Sequence, residues 1–163
     1  MVLQQPEEDL LSEHWRSLMT ALEVKNEEEE GFVYLVYKNK ASVSFINFRA
    51  GVFLYQKTFK INYGQVHEMT ALKLQTITIR VDDKPRKEQI LVIGFMDGSV
   101  EVYSLSVGDK VVSLQRILSF EFWEKKEPVT SIGFRQRNMY VGRAHSVWVY
   151  RDCLSLIANI IVD

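Results

Sequence analysis

One cysteine, three prolines and three histidines in 163 residues leave several classes of chemistry out of reach. Cys153 has no second thiol to pair with, so an intrachain disulfide is excluded and the expected setting is intracellular, cytoplasmic or nuclear. As a lone thiol it reads as a small buried apolar residue. His14, His67 and His145 fall in three different segments, and no Cys or His cluster has metal-ligand spacing. There is no glycine-rich loop to cradle a phosphate and no nucleophile elbow. No catalytic residue, cofactor or metal is therefore expected, and the chain reads as a non-enzyme. The apolar runs "VSFINF" and "LIANIIV" fall far short of the roughly 18 residues that a membrane span needs. The first residues are acidic (Glu7, Glu8, Asp9), which argues against a signal peptide.

What is present fits one globular domain: 47% apolar, 25% charged and a somewhat rich 12% aromatic. The net charge of −1 hides an asymmetry, because residues 1–30 carry −7 and the rest +6. Glu27 to Glu30 repel one another and gain nothing from burial, so they read as a solvated loop. Arg135, Arg137, Arg143 and Arg151, with His145 among them, form the one basic cluster in sequence and a candidate basic patch. They read more simply as solvated turn residues, so nucleic acid is not an expected partner. A membrane is not expected either.

The chain repeats itself. "MTALEVKN" begins at Met19, "MTALKLQT" at Met69 and the weaker "VTSIGF" at Val129. Downstream of each comes a second recurring element: "SVSFINF" from Ser42, "SVEVYSL" from Ser99, "SVWVYR" from Ser146. Between the two lies another strand pattern: "FVYLVY", "QILVIGF" and "MYVG". After the second comes a fourth: "VFLYQKTFKI", "VVSLQRILSFEF" and "CLSLIANIIV". Alternating short runs of this kind predict strands with one face buried. Asp97-Gly98, Gly51, Gly108-Asp109 and Asn138 supply turn chemistry at the joints, and Lys84-Pro85 is expected in a loop. In this register Val100, Val102, Val147 and Val149 are expected to face a core, with Glu101 pointing away.

Four strands repeated at this length are the signature of a β-propeller blade. The stretch "ILVIGFMDGSVEVYSL" resembles the middle of a WD40-type repeat, with Gly94, Asp97 and Gly98 where such repeats turn. "PVTSIGF…MYVGRAHSVWVYR" resembles the next repeat, and the resemblance covers roughly residues 19–163. The family's Gly-His pair is absent, and its Trp-Asp pair is replaced by Tyr103-Ser104 and Tyr150-Arg151. The hydrogen-bonded tetrad that those pairs build is therefore not expected here. "FRAG" at Phe48 to Gly51 resembles the Phe-Arg-Arg-Gly motif of phosphoinositide-binding propellers, but Ala50 replaces the second arginine that would hold the headgroup.

The resemblance implies an all-β, partial β-propeller of about three four-stranded antiparallel blades, near 19–62, 69–122 and 129–162. An acidic N-terminal arm or short helix over 1–18 precedes them, with Leu11, Trp15 and Leu18 at helical spacing. Helix formers run on through Met19 to Leu22, and the repeat favours a strand there. As in most of that family, the implied role is a protein-protein interaction scaffold, a subunit of a heteromeric complex whose partner completes the ring. A homodimer closing six blades ranks second. Leu11, Trp15, Leu18, Leu154, Leu156 and Ile160 are the candidate partner-binding residues. The alternative is a pleckstrin-homology-like or longin-like adaptor binding a lipid headgroup or a trafficking partner. "CLSLIANIIVD" discriminates, since Leu154, Leu156, Ala158 and Ile160 alternate as a strand requires, whereas Leu154, Ile157 and Ile161 suit a helix.

Overall fold

The computed structural model describes residues 19–26, 29–38, 42–49, 52–60, 68–107, 112–122, 124 and 126–162, with side chains almost entirely from 68 onward. The arm or helix expected over 1–18 lies outside the described residues, as do Leu11, Trp15 and Leu18. Among the described residues the protein is mostly β, with eleven antiparallel strands in three sheets and one helix. It is not a closed propeller. The chain divides into two compact units, Met1–Val66 and His67–Asp163.

The first unit carries β1 (Met19–Asn26), β2 (Glu29–Lys38), β3 (Ser42–Arg49) and β4 (Val52–Lys60), hydrogen-bonded in sequence order. The helix formers of "MTAL" lie in a strand, because β1 gains a ladder with β2 from Met19↔Tyr37 to Val24↔Phe32. Pairing and packing override weak local propensity.

The second unit begins with β5 (Met69–Val81), β6 (Lys84–Phe95), β7 (Val100–Val107) and β8 (Val112–Phe120), again ordered by sequence. A three-stranded sheet follows: β9 (Val129–Arg135), β10 (Asn138–Arg143) and β11 (Val147–Tyr150). The fourth strand expected over 153–162 is instead helix α1 (Cys153–Val162). The start of the helix explains the correction. Asp152 takes φ 55°, turning the chain out of the strand. Its carboxylate accepts a hydrogen bond from the Ser155 hydroxyl at 2.7 Å, and its carbonyl accepts from the Ser155 and Leu156 N–H groups, as a helix N-cap does. Ten residues make a marginal helix alone, so packing must hold it. Cys153 and Ile157 are buried, with Leu154, Ala158 and Ile161 partly buried beside them.

The four-stranded sheet of this unit is apolar on both faces. One carries Leu72, Leu74, Leu91, Ile93, Tyr103 and Leu105, all buried. The other carries Ala71, Ile77, Ile79, Ile90, Val92, Val100 and Val102, clustered with Val129, Met139 and Val141 of the next sheet and with α1. The closest approach is at Gly94, where a Cβ would sit 2.4 Å from a Val129 methyl. The Thr70 hydroxyl fixes the same junction by donating to the Val129 carbonyl at 2.6 Å. Val100 and Val102 thus face a core as expected. Glu101 lies on the opposite face, accepting from the Tyr103 hydroxyl and paired with Arg116 at 3.3 Å.

The β5–β6 hairpin outgrows its sheet. β7 stops pairing at Gln89↔Leu105, while β5 and β6 continue to Val81↔Lys84. The sheet of β9–β11 has strands too short to cover this extension, and α1 packs against β5 there, with Ile77, Ile79 and Val81 in its cluster. Pro85, expected in a loop, lies inside β6. In a two-residue hairpin the flanking pair Val81↔Lys84 is the hydrogen-bonded one, so Pro85 directs its missing N–H toward the side where β6 has no neighbour. The tip residues Asp82 and Asp83 adopt φ 51° and 60°, a conformation that glycine accepts more readily. Asp83→Gly is expected to stabilise the fold by about 0.5–1 kcal/mol, seen as a rise of a few degrees in Tm. A fall would show that the Asp83 side chain supports the turn.

Candidate interaction surface

Residues paired across an antiparallel ladder share a face. On the outward face of the three-stranded sheet this gives three rows: Ser131, Gly142, Val147; then Gly133, Tyr140, Val149; then Arg135 and Asn138, with Arg151 just beyond β11. Val147 is 68% exposed and Val149 44%. A Cβ built on Gly133 meets nothing within 4 Å. The expectation that Val147 and Val149 face a core is therefore overturned.

The preceding sheet supplies the physical reason. Its inter-sheet face has the rows Ala71, Gly94, Val100; then Lys73, Val92, Val102; then Gln75, Ile90, Ser104. Laid on the sequence repeat, these correspond position by position to the outward rows of β9–β11. Both sheets carry the same bulge, at Thr70 and at Thr130. Each of those threonine hydroxyls lies beside its own sheet's glycine carbonyl: Thr130 donates to Gly142 at 3.1 Å, while Thr70 sits 3.4 Å from the Gly94 carbonyl with its hydrogen given to Val129. Val147 and Val149 thus occupy the places of Val100 and Val102, which are 0% exposed. The difference is that a sheet covers the earlier pair, while the later pair faces solvent.

On the opposite face Met139, Val141 and Arg143 of β10 are buried, while Trp148 of β11 keeps 36% of its surface exposed. Trp148 meets Phe122 edge-on, with centroids 5.2 Å apart, and Tyr150 lies 4.8 Å from Phe120. Arg143 is the unexpected member. It is 5% exposed; its Nε and one terminal NH2 nitrogen donate to the Gly98 carbonyl at 3.1 and 2.6 Å, and its guanidinium lies 3.9 Å over the Phe122 ring. The other terminal nitrogen has no acceptor among the described residues, and the ring face beneath the guanidinium offsets part of that loss. Arg143 thereby ties the β10–β11 hairpin to the Asp97-Gly98 turn, where Asp97 accepts from the Ser99 N–H and hydroxyl and Gly98 takes φ 90°.

The basic cluster seen in sequence is consequently split. Arg135, Arg137 and Arg151 are exposed at one end of the sheet, Arg137 donating to Ser155 at 3.2 Å. Arg143 is buried near the other end, and His145 is exposed in its turn. Of the candidate partner-binding residues on α1, Leu154 packs into the core, whereas Leu156 is 47% exposed and Ile160 half-buried one turn away. Cys153 is buried, which pushes its thiol up to about 11. Among the described residues no His, Cys, Asp and Glu side chains group as a metal site, and no helix is long and apolar enough to cross a membrane.

The sequence reading missed Val147 and Val149 as surface residues and Arg143 as a buried clamp. The signal for the valines was present, since they belong to the final copy of the repeat. No family model matches the chain, and no curated protein matches it.

Proposed function

We propose that the chain is a non-enzymatic interaction subunit, an incomplete stack of β-sheets of the propeller kind that another polypeptide completes. The carrying observation is the pair Val147 and Val149, exposed at positions whose repeat equivalents, Val100 and Val102, are fully buried by a following sheet. Burying a valine is worth about 1.5 kcal/mol or more, and an exposed apolar edge strand without charge or proline invites a partner. The third sheet is three-stranded, so the propeller reading applies to it with α1 in place of the outer strand.

The pleckstrin-homology or longin reading gains one feature, the helix α1 packed on a β-core. Among the described residues it lacks a headgroup site: Arg143 is committed inside, and Arg135, Arg137 and Arg151 lie at the other end of the sheet. The stacked-sheet reading therefore ranks first. Light scattering of the full chain, alone and after isolation from cells, tests it. The expected result is self-association or apolar-dye binding alone, and a stoichiometric complex with another polypeptide. A dispersed monomer that binds no dye and retains no partner sinks the reading.

A further inference from the structure

The junction between the two sheets of the second unit is a template for what the open face accepts. Val129 leads β9 onto the preceding sheet, its side chain against Gly94 and its carbonyl accepting from Thr70. On the open face the same positions recur with no strand packed on them among the described residues, and the small Ser131 hydroxyl, which can turn aside, lies over Gly142. Gly142 replaces Gly94, Thr130 replaces Thr70, and Val147 and Val149 flank the notch as Val100 and Val102 flank theirs.

Charge narrows the occupant further. Residues 129–151 contain four arginines and no carboxylate. With Arg143 buried, the exposed charge at one end of the open face is that of Arg135, Arg137 and Arg151, three cations against the one carboxylate of Asp152, which accepts from Ser155. A second copy of this same sheet would bring like charges together, whereas an acidic flank would complement them.

Resting on the scaffold reading above, we propose that the open face of β9–β11 receives the leading strand of a partner polypeptide's β-sheet. That strand seats a β-branched residue against Gly142, turns its carbonyl toward the Thr130 hydroxyl, and places acidic residues beside Arg135 and Arg151. Gly142 and Thr130 determine which strands fit, and the arginines set the orientation. A β-branched residue suits the notch because its stiff, compact side chain fills the space that a missing Cβ leaves once the Ser131 hydroxyl turns aside.

The probe is a synthetic peptide of residues 128–143, the hairpin that occupies the equivalent face, carrying Arg135→Glu. It is titrated into the full chain labelled for NMR. Backbone shifts are expected at Thr130, Gly142, Val147 and Val149, with binding at least about tenfold weaker when the peptide also carries Val129→Gly. The protein variant Gly142→Val should abolish the shifts yet keep its melting temperature. A Cβ there meets first the Ser131 hydroxyl, the free end of a small side chain that can turn away. Thr130→Val provides a second variant, which loses only the exposed hydrogen bond to the Gly142 carbonyl, so its melting temperature should fall little while binding weakens several-fold.

Absence of shifts up to millimolar peptide overturns the proposal. So do shifts confined to Arg135, Arg137 and Arg151, or tighter binding of a poly-dT oligonucleotide at those arginines, which would mark an electrostatic surface for nucleic acid. If Gly142→Val leaves a cellular complex intact, this site falls while the scaffold reading stands. If the full chain forms no complex at all, the scaffold reading falls first.

Discussion

Val102→Asp is expected to unfold the second unit in ordinary buffer. Val102 is 0% exposed, paired with Val92 on one side and Leu118 on the other, inside a cluster of aliphatic side chains. A carboxylate placed there has no donor in reach and must be protonated or drag water inward. The cost is about 4 kcal/mol or more, against a total of about 5–15 kcal/mol for a whole domain. Cys153 gives a direct readout. It is the only cysteine, 3% exposed, with burial pushing its thiol up to about 11, so maleimide reaches it at neutral pH only when the unit opens. Labelling should accelerate by more than a hundredfold in Val102→Asp. Glu101→Val removes a hydrogen bond from Tyr103 and an ion pair with a largely exposed Arg116, and should cost about 1 kcal/mol. The reverse order would mean that β7 is read one residue out of register.

Arg143→Ala should be the next most damaging substitution, at about 2–4 kcal/mol. It deletes two hydrogen bonds to the Gly98 carbonyl, removes the guanidinium from the Phe122 ring, and leaves a void behind the Asp97-Gly98 turn. Arg143→Lys should recover less than half of the loss, because an ammonium cannot fork onto one carbonyl while lying flat on a ring. Urea melts of the three proteins decide the point. If alanine matches the wild type, the clamp contributes nothing net and the desolvation of the charge cancels its bonds.

Most of the strand positions were readable from the sequence because period-two patterns and turn residues agree there, as in "QILVIGFMDGSVEV". The faces were harder. Alternation says that Val147 and Val149 lie on one side of β11, but whether that side is buried depends on a neighbouring sheet, which is not a local property. The tail "CLSLIANIIV" is apolar at nearly every position, so strand and helix periods both fit it. The deciding residue, Asp152, lies just outside the pattern and acts through a cap. Pro85 misled for a related reason: proline is excluded from a ladder only where its nitrogen faces a partner strand. Arg143 gave no signal, since an arginine at a strand end is ordinarily solvated, and its burial follows from Phe122 and Gly98 arriving from distant segments.

The overgrown β5–β6 hairpin has a consequence for the order of events during synthesis. Ile77, Ile79 and Val81 are complete long before α1, the helix that covers them, about 70 residues later. At a ribosomal pace of about 5–20 residues per second, that strip waits roughly 4–14 s without its cover. Throughout that interval the nascent chain carries an uncovered apolar strand, the kind of surface that aggregates. A product stopped at Arg151 would leave Ile77, Ile79 and Val81 without α1 over them for as long as it lasted, so the helix sets how long this hairpin is open to misassembly.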